Sequence, residues 1–216
     1  EGVLIRNLLL ARGLLQPVEG ETAMLAVPMR RANAFASLLT LRRHLYPQDE
    51  IVGSLRGLLD TADADELECA EALCKAFGGR SWMTNFDHFA PDYGYLLSEG
   101  VTGLQEQLRA SARRHRGKRR AFALAQLRCM ESFSAWVSGY GDDAERAGNP
   151  EAAAVCHAVA ARPPQTFREA LQLVWLAHVA LVTEGRGAMA LGRMDQYLWP
   201  YYREDIRTGR LTEERA

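Results

Sequence analysis

The sequence predicts a mainly α-helical protein, and three observations carry that prediction. Apolar residues recur at intervals of three and four along most of the 216 residues, the spacing of one helix face. Helix-boundary residues stand between the periodic stretches, as in Gly148-Asn149-Pro150, Pro163-Pro164 and Thr166-Phe167-Arg168-Glu169. Strand-like sequence is scarce: Ile51-Val52-Gly53 is the clearest β-branched, glycine-bounded run, enough for a short strand or an extended piece.

Each element follows from its own residues. Gly2 to Gly13 has apolar residues at helical spacing, and Pro28 to Leu45 repeats the pattern with Ala32, Phe35, Leu38, Leu39 and Leu41 on one side. Pro47-Gln48-Asp49-Glu50 is a turn signal. Asp63 to Phe77 is acidic at its start and apolar at Leu67, Ala70, Leu73, Cys74 and Phe77, and Gly78-Gly79 stops it. Arg80 to Tyr95 has no period and is rich in aromatics, so it reads as an ordered loop. Leu96 to His115 is helical with a break near Gly100 to Gly103, and Arg113 to Arg120 is a solvated basic run. Ala121 to Tyr140 is a strong helix, with Phe122, Leu127, Met130, Phe133, Val137 and Tyr140 at threes and fours. Glu151 to Ala161 follows, ended by the two prolines. Thr166 to Glu169 forms a capping box that opens Ala170 to Val182, a helix so apolar that it should be buried all round.

Composition narrows the function classes. The chain is 48% hydrophobic and 25% charged, ordinary for a globular protein of one or two domains. A net charge of −1 gives no case for nucleic acid. No apolar run reaches the roughly 18 residues of a membrane-spanning helix. Cys69, Cys74, Cys129 and Cys156 form no C-x-x-C pair and lie in apolar, helix-like contexts. They read as buried or half-buried thiols with no structural zinc. Glu1 at the start and the helix-start signal Leu211-Thr212-Glu213-Glu214 at the end suggest that the natural polypeptide continues.

Chemistry is sparse by motif. Phosphate-binding glycine loops and H-E-x-x-H are absent. His178 on the apolar helix reads as a satisfied core histidine, whereas His88 sits beside Asp87 in an aromatic loop, a setting where a titrating group is held for use. Cys156 and His157 are adjacent, so on a helix they point apart. Glu184 to Tyr202, EGRGAMALGRMDQYLWPYY, joins small residues to a dense polar-aromatic cluster. Arg193, Asp195, Gln196 and Tyr197 are expected to form a buried hydrogen-bonded network, and Gly187 to Ala190 a small-residue wall.

Four pieces in order carry a resemblance. They are Arg30-Arg31-Ala32-Asn33-Ala34-Phe35 with Asp49-Glu50-Ile51-Val52-Gly53-Ser54; Asp87-His88-Phe89-Ala90-Pro91-Asp92-Tyr93 with Leu97 to Gly103; Pro164 to Gln172 with Trp175 and His178; and Gly192-Arg193-Met194-Asp195-Gln196-Tyr197 through Thr212. Over roughly Pro28 to Ala216 the chain resembles the N-terminal part of the glycyl radical enzymes, the pyruvate formate-lyase-like superfamily. The resemblance implies that residues 1–216 are a partial domain: the mainly α, N-terminal helical part of a ten-stranded α/β barrel. It implies an anaerobic, cytoplasmic lyase or dehydratase that acts on a small-molecule substrate. A glycyl radical and a thiyl cysteine would lie in the remaining half of the same polypeptide, the radical installed by a radical-SAM activase. A homodimer is left open; nucleic acid and membrane are not implied.

No copy of either radical residue is found here, so the fragment alone is expected to be inactive, with no catalytic residue, no bound cofactor and no metal. Val137-Ser138-Gly139-Tyr140 imitates the family's radical loop but reads better as a Gly-Tyr helix terminus. By the resemblance His88 reaches substrate, and Gly187 and Ala188, with Met189 beside them, stand where glycerol-type dehydratases carry a His-Ser pair for substrate hydroxyls. Losing two hydrogen-bonding side chains argues against a glycerol-type dehydratase. The alternative is a stand-alone degenerate relative that serves as a helical interaction or scaffold protein.

Overall fold

The computed structural model describes residues 2–14, 16, 26–41, 43–54, 64–76, 88–185 and 188–216. The described residues contain no strand and form α1 (Gly2–Leu14), α2 (Ala26–Leu38), α3 (Ala64–Ala76), α4 (Tyr93–Arg114), α5 (Gly117–Arg146), α6 (Pro150–Ala161), α7 (Phe167–Thr183), α8 (Met194–Tyr197) and α9 (Trp199–Arg207). The mainly α expectation therefore holds.

The core lies where α4, α5, α6 and α7 meet, around Val101, Val137, Val159, Leu173 and Leu176. Small residues Ala152, Ala153, Cys156 and Ala160 let α6 approach α5 closely. Leu10, Ala34 and Leu38 join α1 to α2 in a second cluster. Caps define the helix starts. The Asp92 side chain accepts from the Tyr95 N–H at 2.9 Å, and Asn149 accepts from the Ala152 N–H at 3.1 Å while donating to the Asp49 carbonyl at 2.8 Å. Thr166 caps α7 through the Glu169 N–H at 3.2 Å.

The other arm of the predicted capping box, the Thr166 N–H onto the Glu169 carboxylate, is joined by further donors. The Glu169 carboxylate takes both Arg162 guanidinium nitrogens at 2.8 Å and the Gln165 N–H at 2.7 Å. Burial pushes its pKa up, but these donors outweigh burial and hold it below the usual carboxylate range. A depressed carboxylate contributes stability above its unfolded value, about 4.3, and that contribution is lost as pH falls through the lower folded value. Glu169→Gln is therefore expected to lower stability at neutral pH by about 1–3 kcal/mol. The gap to wild type should close on acidification below about pH 4; melting temperatures from neutral to acid pH check it.

Several expectations need correction. The helix from Pro28 stops at Leu38 instead of Leu45. Thr40 turns the chain by giving its side-chain O–H and its N–H to the Ser37 carbonyl, at 2.7 and 3.1 Å, the local competition that makes Ser and Thr poor helix-interior residues. Tyr93 to Tyr95 belong to a helix and not to a loop, because Asp92 caps it. Gly139-Tyr140 is not a helix terminus: α5 runs on to Arg146. Glycine stands there because a Cβ would lie 2.6 Å from the Arg43 guanidinium, whose Nε donates to Asp143 Oδ2 at 2.6 Å. Cys69 is exposed, unlike half-buried Cys129 and buried Cys156. The Cys74 side chain, the Gly78-Gly79 stop and Arg80 to Asp87 lie outside the described residues.

Ile51 to Gly53 forms no strand: Ile51 lies in a bend and Gly53 takes a φ of 127°. The fully buried Gln172 side chain takes the place of a partner strand: its amide accepts from the Val52 N–H at 2.8 Å and donates to the Val52 carbonyl at 2.6 Å. Trp175 Nε1–H adds a bond to the Gly53 carbonyl at 2.9 Å. The expectation that α7 is buried all round is not met. Trp175 remains 36% exposed beside its carbonyl partner, and Leu171, His178 and Val182 continue the half-open stripe.

Candidate functional site

Two segments a hundred residues apart come together beside the start of α4. The His88 N–H donates to the Ala188 carbonyl and the Ala190 N–H to the Phe89 carbonyl, both at 3.1 Å. Backbone pairing of this kind fixes register without reference to side-chain identity. It places exposed His88 next to half-buried Ala188 and Met189. His88 has a φ of 63°, a left-handed conformation uncommon for a side-chain-bearing residue and one that clusters at functional sites. Three of the four residues expected to bind substrate are thus brought together; the fourth, Gly187, lies outside the described residues.

Behind this wall sits a tyrosine-histidine cluster that sequence reasoning missed. Tyr93, the first residue of α4, is 1% exposed. Its Oη lies 3.2 Å from His178 Nδ1 on α7, and its ring packs 5.9 Å from that of Tyr197. The Tyr197 O–H donates to the Leu191 carbonyl at 2.7 Å. His178 stacks on Trp175 at 6.0 Å. Burial, with Tyr197 adding to it, pushes the Tyr93 phenol up to about 12, and burial lowers the His178 pKa. Both groups are neutral at neutral pH, so the bond between them is an uncharged one. The only hint in the sequence was the three-residue spacing of Trp175 and His178, which puts both on one helix face.

The expected buried network of Arg193, Asp195, Gln196 and Tyr197 does not form. Arg193 and Asp195 make a two-pronged ion pair at 2.8 and 2.6 Å whose side chains are 69% and 63% exposed, and Gln196 is exposed. A bidentate pair satisfies both partners by itself, so it needs no buried surroundings. Tyr197 alone faces inward.

Neighbouring groups offer no second chemistry. Burial raises the thiol pKa of Cys129 to about 11 and of Cys156 to about 12, leaving both as unreactive thiols. His157 turns toward Ser138 and Asp142, away from buried Cys156, as expected. No group of three metal-ligating side chains occurs among the described residues. A groove of about 460 Å³ runs between α2, α4, α5 and α7, with Asp92 and Tyr93 on its wall.

The fold matches a glycyl radical enzyme from Archaeoglobus fulgidus with a TM-score of 0.78 at 23% identity, covering 98% of this chain and 36% of that one. It matches the Roseburia inulinivorans structure described for 1,2-propanediol dehydration with a TM-score of 0.75 at 22% identity, over 98% of this chain and 33% of that one. The family model described as pyruvate formate lyase-like matches residues 65–216. The chain belongs to the pyruvate formate lyase-like family. It is 28% identical over 174 residues to (2S)-3-sulfopropanediol dehydratase of Klebsiella oxytoca, covering 69% of this chain and 21% of that protein. It is 33% identical over 158 residues to the probable dehydratase YbiW of Escherichia coli, covering 63% and 19%. The chain thus spans about a fifth of the length of these curated relatives. No helix among the described residues is long and apolar enough to cross a membrane.

Proposed function

We propose that residues 1–216 are part of one domain and serve as the N-terminal, helical portion of a glycyl radical lyase or dehydratase. The observation that carries this is the backbone pairing of His88-Phe89 with Ala188 to Ala190 in a chain of this family. In this reading the pair forms one wall of the substrate cavity, and the rest of the polypeptide closes it. His88 offers the wall's polar contact; Ala188 and Met189 offer apolar surface and no hydroxyl partners. The substrate is accordingly a small molecule with fewer hydroxyl groups than glycerol, since an unmatched hydroxyl would be buried without a partner.

The radical residues belong to the rest of the chain, where a glycyl radical generated by a radical-SAM activase supplies hydrogen-atom abstraction. This chain's residues bind and orient the substrate and exclude water. The 216 residues alone are inactive, and the enzyme works in an anaerobic cytoplasm.

The test is anaerobic activation of the full-length polypeptide with its activase, read by electron paramagnetic resonance. Turnover is then assayed on 3-sulfopropanediol, isethionate, 1,2-propanediol, 4-hydroxyphenylacetate, trans-4-hydroxy-L-proline and glycerol. A glycyl radical signal with turnover of a substrate other than glycerol is expected. His88→Ala should lower kcat/KM by about tenfold or more at unchanged radical content, the loss of one well-placed hydrogen bond. Absence of the radical sinks the reading and leaves the scaffold alternative. Preferred turnover of glycerol sinks the substrate argument.

A further inference from the structure

Resting on the reading above, we infer that Tyr93, Tyr197 and His178 form a clamp that positions the substrate wall, with Tyr93 and Tyr197 as its positioning residues. The wall consists of two short segments joined, among the described residues, by two backbone hydrogen bonds. That pairing sets the segments against each other, and the clamp ties the pair to the core. Tyr93 lies one residue beyond Asp92 on the first segment, and its N–H returns to the Pro91 carbonyl at 2.9 Å. Its Oη ties that segment to α7 through His178 Nδ1 at 3.2 Å. Tyr197 ties down the second segment through the Leu191 carbonyl at 2.7 Å. The two rings, 5.9 Å apart and inclined at 48°, join the two ties. The wall is thereby referenced to α4 and α7, two helices of the packed core. Neither tyrosine needs to touch substrate. Each acts through where it puts His88, Ala188 and Met189, and a displacement of about 1 Å at such groups is costly to turnover.

The test uses Tyr93→Phe and Tyr197→Phe in the full-length protein, with Tyr140→Phe as control. The control removes a buried hydroxyl whose bond is to the Ser54 N–H at 3.4 Å, away from the wall. Two readouts are taken. Amide hydrogen exchange at His88 and Ala190 is expected to rise about tenfold in both clamp variants and to stay unchanged in the control, while amides in α5 and α6 keep their protection. In the activated enzyme, KM is expected to rise about fivefold, the equivalent of one lost hydrogen bond, with radical content unchanged. Unchanged exchange at His88 and Ala190 overturns the inference. So does faster exchange with KM and kcat both at wild-type values, which would make the clamp structural only. Failure of the wild-type enzyme to form a radical or turn over any substrate sinks the functional reading itself. Wild-type turnover with unaffected clamp variants sinks only the clamp.

Discussion

Gln172→Leu is expected to lower the stability of the protein by about 2–6 kcal/mol, because two buried backbone groups lose their Gln172 partner at once. Gln172 is fully buried and closes a two-bond ring with Val52, accepting from its N–H and donating to its carbonyl. Val52 is itself fully buried, so water cannot replace the amide without opening the core. Leucine keeps roughly the volume and the apolar packing, and the loss therefore reports the polar groups rather than a cavity. For a chain of this length the expected fall in melting temperature is about 5–20 °C. Gln172→Glu keeps the acceptor for the Val52 N–H but, while ionised, has no donor for the carbonyl. Burial without a counter-charge favours the protonated acid, which regains a donor, so this variant is expected to lose less as the pH falls. Thermal and urea unfolding followed by circular dichroism measure both. A loss under about 0.5 kcal/mol, the size of a neutral surface change, would mean that the segment from Ile51 to Ser54 peels into solvent and that α7 stands without it.

This pair also marks what could be read from the sequence. The β-branched, glycine-bounded run at Ile51 to Gly53 suggested a short strand or an extended piece, and no strand forms there. Its partner could not be read, because a side chain 120 residues away replaces the expected neighbouring strand. Helices were legible for the converse reason. Their caps are local: Asn149 and Thr166 each bond an N–H three residues on. The break near Gly100 was legible from glycine alone, and the solvated basic run from its charge. The early end of α2 was not, since Thr40 and Ser37 settle it by a competition that periodicity ignores. Gly139 was misread because the reason for it, Arg43, lies about a hundred residues earlier.

At the site, His88, Ala188 and Met189 were assigned from the family resemblance; no periodic pattern joins positions so far apart. Two backbone hydrogen bonds join them, and backbone bonds leave no mark on residue type. Arg193 and Asp195 were expected inside because a cluster of polar residues among aromatics suggests a network. Composition does not say which way a side chain points, and their mutual bidentate pairing removes any need for burial. Tyr93, by contrast, looked like one more loop aromatic. Only its place directly after the Asp92 cap turns it inward and onto His178.

Gly100→Ala is expected to cost about 2–6 kcal/mol, while Gly103→Ala, three residues along the same helix, is expected to stabilise by about 0.5–1 kcal/mol. Gly100 sits at φ 65°, ψ 172° inside α4, a combination essentially closed to residues with a side chain. A methyl there would also lie 2.7 Å from the Pro163 nitrogen and 2.8 Å from its Cα. Those are backbone atoms at the end of α6 and cannot rotate away, so strain and overlap add. At Gly103 a Cβ would meet Glu99 Cβ at 3.4 Å and its Oε2 at 3.5 Å, ordinary van der Waals contact, and alanine is the better helix former. The two variants therefore test the kink with the same substitution and opposite signs, by urea unfolding. The kink also has a functional consequence. It sets the direction of the first turns of α4, and Tyr93 is their first residue. If the helix straightens to relieve Gly100→Ala, Tyr93 leaves His178 and the wall of His88, Ala188 and Met189 loses its reference to the core. The activated full-length Gly100→Ala enzyme should then lose turnover beyond what its folded fraction explains, and Gly103→Ala should retain it. Equal stability of the two variants would show that α4 can run through position 100 without the left-handed residue.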